Sequence, residues 1–181
     1  MPNAQDRTLE FRVGDCNGEV LKLAAALQNR RYAALIFLDP FGMQIDWETI
    51  ATLQGTRSDV WILVPTGVIV NRLLDRKGDL KFGKKLETFF GMNEEEIRVR
   101  FYQKRETIDL FGEQTDQVVK VMKPIQKIAE TYVENLNKIW KYVTPKPLVL
   151  KNRKGTPIFH FLFASNNQAA VRIANYIIEK G

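Results

Sequence analysis

Two apolar runs, each closed by a turn, decide the fold of this chain: YAALIFLDPFG at residues 32–42 and DVWILVPTG at residues 59–67. Each run has the length of a strand, and an unbroken apolar run is typical of a strand covered on both faces of an α/β sheet. Pro40 cannot donate to a strand ladder and Gly42 permits a turn, so we expect the first strand to end by Asp39. The segment between the runs predicts a helix, and strand–helix–strand units predict parallel pairing through a right-handed crossover.

Further strands are predicted on both sides of these runs. The alternating segment LEFRV, residues 9–13, predicts a strand that leads into a helix capped by Asp15 or Asn17. Residues 148–164 predict an antiparallel hairpin with a polar turn, followed by a last helix that Asn166 caps.

A helical insertion is predicted between these parts, from about residue 68 to residue 142. Its longest apolar stripe has helical spacing over residues 125–143, and a shorter stripe is closed by Gly91. Asp46 is expected to cap the helix between the two apolar runs. The sequence therefore predicts one α/β domain over residues 1–181: three parallel strands, a helical insertion, and a terminal antiparallel hairpin with a helix.

Composition excludes several classes of protein. The chain has 181 residues, of which 45% are hydrophobic, so disordered and low-complexity classes do not fit. Cys16 and His160 are its one cysteine and one histidine, so neither a disulfide nor a zinc site is predicted. No apolar stretch reaches membrane-spanning length and no apolar leader is seen at the start, so we expect a cytoplasmic protein without a membrane partner.

Charge is unevenly distributed, and it suggests a nucleic-acid interface. Residues 66–181 carry 21 basic and 13 acidic side chains. Within them, RVRFYQKR at residues 98–105 interleaves basic and aromatic residues, a pattern that can neutralise phosphates and stack bases. The candidate contacts are Arg98, Arg100, Lys104 and Arg105. The alternative is that these charges only solvate helices.

Polar clusters follow the predicted strands, where open α/β sheets bind their ligands. Asp39 offers a carboxylate and a carbonyl oxygen, and Phe41 offers a flat ring beside them, so the group could accept hydrogen bonds from an amino group while stacking on its ring. The alternative is a simple turn. Pro65, Thr66 and Gly67 form the corresponding cluster after the second run and are candidate substrate-binding residues.

The strand followed by Asp39, Pro40, Phe41 and Gly42 resembles motif IV of class I S-adenosylmethionine-dependent methyltransferases that act on amino groups. It is also similar to the loop of tRNA guanine-N2 methyltransferases. The resemblance implies that these four residues are catalytic. It further implies that an acidic loop near the adenine of S-adenosylmethionine corresponds to Asp15 and Cys16.

A resemblance to the three-Cys-motif partner family covers more of the chain. It rests on ALIFLDPFGMQIDWETI (34–50), DVWILVPTG (59–67), NRLL (71–74), FFG (89–91) and GTPIFHFLFAS (155–165). The family is methyltransferase-like, with a Rossmann-like sheet, and its members accompany a protein whose three cysteines hold an iron–sulfur cluster. The resemblance therefore implies a three-Cys-motif protein as partner.

The chain departs from this family at its beginning. Family members start with two further βα units, the first with a glycine-rich loop for the cofactor; their strand order is 3-2-1-4-5-7-6. This sequence has no GxGxxG, so we expect weak binding of S-adenosylmethionine or none. The gap would leave the edge of strand 32–38 open to a second copy or another chain. Two functions follow: an amino-group methyltransferase acting on a base or protein when complete, or a non-catalytic interaction module.

Overall fold

The computed structural model describes residues 8–39, 42–108 and 114–180. Within these residues the strands are β1 (Ala34–Leu38), β2 (Ser58–Val64), β3 (Tyr102–Ile108), β4 (Gln114–Lys120), β5 (Tyr142–Val143), β6 (Leu148–Lys151) and β7 (Pro157–Ser165). The helices are α1 (Cys16–Leu27), α2 (Trp47–Ala51), α3 (Asn71–Leu73), α4 (Gly83–Phe90), α5 (Glu94–Phe101), α6 (Pro124–Leu136) and α7 (Gln168–Lys180). A turn of π-helix, Thr66–Val70, joins β2 to α3.

The main sheet is mixed. β1 pairs with β2 in parallel, from Ala34 opposite Ser58 to Leu38 opposite Ile62. β2 pairs antiparallel with β7, and the other side of β7 carries β5 near its end and β6 near its start. The predicted α/β class, the parallel pairing of the two apolar runs and the terminal hairpin β6–β7 are therefore confirmed.

One face of the sheet builds the main core. The inward side chains alternate along each strand, as in Val60, Ile62 and Val64 of β2. They join one cluster with buried residues of α1, α2, α4, α5 and α6, among them Leu27, Ile50, Leu86, Ile97 and Ile128. A layer of helices thus covers this face.

Among the described residues, the opposite face is covered at one end only. Val171 and Ala174 of α7 pack there on Phe163, with Trp61 and Tyr142 beside them. Further along, aromatic rings contact one another across three strands: the Trp61 ring stacks on Phe161 at 4.5 Å, and Phe37 lies 5.6 Å from Phe161. We call the residues Leu35, Phe37, Trp61 and Phe161 the open face.

The predicted strand at residues 9–13 is wrong. These residues have no regular structure, and Leu9, Phe11 and Val13 are at least 80% exposed. Alternation favours a strand only where a sheet edge can pair with it, and here Arg12 instead forms ion pairs with Glu10 and Glu19. Of the three strands predicted to be parallel, the described residues therefore contain two, β1 and β2.

The prediction that the first apolar run is covered on both faces is also wrong. β1 lies at the edge of the sheet, and Leu35 and Phe37 are 72% and 62% exposed. Ile36 and Leu38, which point to the core, are buried. The apolar outward residues gave β1 the pattern of a central strand, although no described strand flanks its outer edge.

The insertion is only partly helical. It contains the two-stranded antiparallel sheet β3–β4, with Tyr102 opposite Lys120 and Ile108 opposite Gln114. The predicted helix over 125–143 begins as expected at Pro124 but ends at Leu136. The chain turns there because the buried Trp140 ring donates its N–H to the Ser58 carbonyl, at 3.2 Å, and Val143 joins β5.

The predicted helix caps have different outcomes. Asp15 caps α1, where its Oδ2 accepts from the Gly18 N–H at 3.0 Å, and Gly91 ends α4 in the left-handed conformation. Asp46 stands at the start of α2, but its side chain makes no capping bond. The last helix is capped by Asn167, whose Oδ1 accepts from the Ala169 N–H, because Asn166 binds the Lys141 N–H.

Candidate functional site

The loops after β1 and β2 lie beside each other at the carboxyl ends of these strands. Asp39 is exposed directly after Leu38, whereas Pro40 and Phe41 lie outside the described residues. Gly42 has a φ of +83°, and a Cβ there would lie 3.2 Å from the side chain of Ile69, in the π-helical turn after β2. The structure therefore brings the two predicted loops into contact.

Asn17 ties the start of α1 to the loop after β1. Its Nδ2 donates to the Gln44 carbonyl at 2.8 Å, and its Oδ1 accepts from the Asp46 N–H at 3.0 Å. The start of α1 is thus held against the segment that links β1 to α2. Sequence reasoning treated Asn17 as a helix cap only and missed this bridge, because its partners lie 27 and 29 residues away.

Asp15 and Cys16, predicted to lie near the cofactor's adenine, are exposed at the start of α1. The Asp15 carboxylate is committed to the Gly18 N–H of its own helix. Burial, and then the charge of Asp15, raise the pKa of the Cys16 thiol, so the thiolate is disfavoured. These contacts explain both residues locally, and their cofactor role stays a prediction.

Thr66 and His160 form a buried pair next to the second loop. The Thr66 Oγ1 lies 2.7 Å from His160 Nδ1, and the pKa of His160 is lowered by burial. Thr66 itself, predicted to bind substrate, is fully buried and holds this histidine.

Gly67 allows the chain to pass close to β7. A Cβ at Gly67 would lie 2.0 Å from the Pro157 carbonyl oxygen, so only glycine fits here. Pro65 accepts from two N–H groups of the π-helical turn, those of Ile69 and Val70. Pro65, Thr66 and Gly67 thus form the connection between the end of β2 and the helical layer. Substrate binding by these three residues stays a prediction.

The four predicted nucleic-acid contacts lie on two elements. Arg98 and Arg100 are on α5, whereas Lys104 and Arg105 are on β3. Arg98 pairs with Glu94 at 2.6 Å, Arg100 pairs with Glu134, and Lys104 lies 3.8 Å from Asp116. These carboxylates offset part of the positive charge that phosphates would need, and the nucleic-acid interface stays a prediction.

Compared with known proteins, the chain matches no family model, no curated protein and no solved structure. The family resemblance therefore rests on the residues quoted above alone. Among the helices of the described ranges, none has the length and apolar character needed to cross a membrane.

Proposed function

We propose that this chain is the acceptor-binding half of a class I methyltransferase-like fold of the three-Cys-motif partner type. The observation that carries the proposal is the pairing in the main sheet: β2 lies between β1 and an antiparallel β7, and the other side of β7 carries β6 at its start and β5 at its end. With β6 taken as strand 6 and the two-residue β5 left out, this order and direction agree with the half 4-5-7-6 of the full methyltransferase sheet. β1 would then be the strand that precedes the acceptor loop.

The acceptor loop is Asp39 to Gly42. Asp39 is exposed at the carboxyl end of β1, where ligands of open α/β sheets bind. Its carboxylate and carbonyl oxygens accept hydrogen bonds, so they suit the N–H donors of an amino group on a base or on a protein side chain. The far end of this loop, Gly42, lies beside Ile69 of the turn after β2.

The residues present do not fit S-adenosylmethionine. Neither β1 nor β2 is followed by a glycine-rich loop, and the Asp15 carboxylate caps its own helix. The groups that would hold the methyl donor must therefore come from another polypeptide segment. The free edge of β1 among the described strands is where that segment would join the sheet, and a three-Cys-motif protein is the partner that the resemblance implies.

A second candidate function, a non-catalytic interaction module, is favoured by the open face. Leu35 and Phe37 stand exposed on an edge strand, a combination that soluble proteins usually cover or replace with charge. A second copy of the chain is the simplest occupant in a purified sample, with the two β1 edges paired. In this reading the acceptor loop has no catalytic role.

Nuclear magnetic resonance titration of the isotope-labelled chain separates these functions. Guanosine and cytidine carry an exocyclic amino group, whereas inosine and uridine are matched nucleosides without it. Nα-acetyl-lysine amide, with its free side-chain amine, represents a protein acceptor. We expect an amine-bearing ligand to shift the amide resonances of Asp39 and Gly42, and Asp39→Ala to abolish the shift. Equal shifts from the matched nucleosides, or none from any amine, would remove the acceptor role.

A further inference from the structure

A groove separates α6 from the edge strand β6. It consists of two adjoining cavities of about 430 and 460 Å³ that share Gln126, Val149 and His160 in their walls. Both volumes are in the range of small-molecule sites, roughly 300–1,000 Å³. The groove lies outside the acceptor loop and is not used by the proposed function.

His160 lines both cavities with a nearly buried ring. The residue is 6% exposed and faces the core side of the sheet, where α6 packs. Nδ1 is held by Thr66, whereas Nε2 has no hydrogen-bond partner among the described residues. Among the described residues Asn71 Oδ1 is the one side-chain polar atom that is both fully enclosed and unpaired. His160 Nε2 is therefore not fully enclosed, and the residue lines both cavities of the groove.

The first turn of α6 closes one end of the groove. No side chain caps this helix of 13 residues, and Pro124 has no N–H, so the first free donors are the N–H groups of Ile125 and Gln126. The positive end of the helix dipole points the same way. Lys123 and Lys151 line this end as well.

The other end of the groove has a different character. Ala129, Val133 and Pro147 give it an apolar wall. Its acids, Glu130 and Glu134, are engaged by Gln126 and Arg100, and Lys146 lies near them. Negative charge is therefore favoured at the helix end and apolar surface at the far end.

We propose that this groove binds an organic carboxylate with an apolar chain. The carboxylate lies at the first turn of α6, against Lys123, Lys151 and the Nε2 of His160, and the chain lies along Ala129 and Val133. The anion selects one arrangement of the buried pair: the Thr66 hydroxyl donates to Nδ1, and the proton on Nε2 is donated to the carboxylate. Burial lowers the pKa of His160, which favours the neutral ring that this hydrogen bond requires.

Calorimetric titration with octanoate tests this proposal. Octanol keeps the apolar chain without the charge, and acetate keeps the charge without the chain. We expect octanoate to bind, and both control compounds to bind at least about tenfold more weakly, the effect of one charge-assisted contact or of a few buried methylenes. In nuclear magnetic resonance spectra, the backbone amide resonances of Ile125 and Gln126 should shift with octanoate. Such a shift would place the carboxylate at the first turn of α6.

Two lysine variants distinguish binding at this groove from non-specific hydrophobic binding. Lys151→Gln, an exposed position, should weaken octanoate binding about tenfold. Lys154→Gln, on the same hairpin but outside the groove, should leave it unchanged. The proposal is overturned if octanoate does not bind at millimolar concentration, if octanol binds equally well, or if both lysine variants lose the same affinity. Circular dichroism confirms that each variant is folded.

Discussion

Single residues at the carboxyl ends of β1 and β2 hold the candidate site together. Asn17 binds the backbone of Gln44 and Asp46, Gly42 lies beside Ile69, and Gly67 lies against the backbone of Pro157. None of these contacts is between neighbours in sequence. The site is consequently sensitive to changes of one or two atoms.

Gly67→Ala should destabilise the chain by about 1–3 kcal/mol, because a methyl group cannot fit 2.0 Å from a backbone carbonyl oxygen without shifting β7. Alanine normally favours a helical segment over glycine, so the sign of the change is diagnostic. Chemical denaturation measures the free energy of unfolding. Gly14→Ala is the matched control, since a Cβ there meets nothing within 4 Å. An unchanged midpoint for Gly67→Ala would contradict this packing.

Protonation of His160 should weaken the fold. Burial lowers its pKa in the folded state, so the unfolded chain binds a proton more readily and stability falls as the pH drops below about 6.5. The free energy of unfolding of the wild type should therefore decrease between neutral pH and pH 5, and His160→Gln should show a smaller decrease. Parallel pH profiles for the two proteins would show that His160 does not carry this effect.

Residue-scale predictions from the sequence succeeded where the cause is local. Asp15 and Gly91 were predicted because a helix end needs a cap within a few residues. The predicted cap Asn166 is wrong by one position, because the Asn166 side chain accepts a hydrogen bond from the Lys141 N–H and the next residue caps the helix. Thr66 and His160 are 94 residues apart, so no local sequence pattern predicts that they pair.

At the scale of elements, the loop between α3 and α4 is organised by one carboxylate. Asp75 accepts from the N–H groups of Lys77, Gly78, Asp79 and Leu80, at 2.6 to 3.0 Å. Burial acts to raise the pKa of Asp75, but these four donors outweigh it and lower the pKa.

Asp75→Ala should lose about 1–3 kcal/mol of stability, because it leaves several backbone donors without their acceptor. Asp79→Ala is the control in the same loop, since Asp79 takes part through its backbone N–H. Thermal unfolding of both variants checks the difference. Equal melting temperatures for them would mean that the loop does not depend on the Asp75 side chain.

Elements were predicted well where packing and periodicity agree, as in β2, α4 and the hairpin β6–β7. The predictions were wrong where one sequence pattern is compatible with two different structures. LEFRV alternates like a strand but pairs with no described strand, and the outward residues of β1 are apolar without being covered. β3 and β4 carry mostly polar residues, so no apolar stripe distinguished them from the helices around them.

The molecule as a whole has one sheet face that its own helices only partly cover. Leu35 and Phe37 extend this apolar surface to the outer edge of β1. Full coverage of this face would need residues other than the described ones.

Phe37→Glu should reduce association of the purified chain with itself, because it places a charge on the open face at the edge of the sheet. Light scattering over a range of concentrations measures the mass. Val99→Glu is the matched control, since Val99 is 78% exposed on α5, away from the open face. A wild-type chain that stays monomeric at high micromolar concentration would contradict pairing through β1.

The central claim is that this chain has the acceptor side of a methyltransferase-like site and lacks the donor side. Calorimetric titration of the folded chain with S-adenosylmethionine tests that claim most directly. The account predicts no heat beyond dilution at millimolar ligand, with circular dichroism confirming the fold. Micromolar binding would contradict it, because the donor site would then be built from these residues alone.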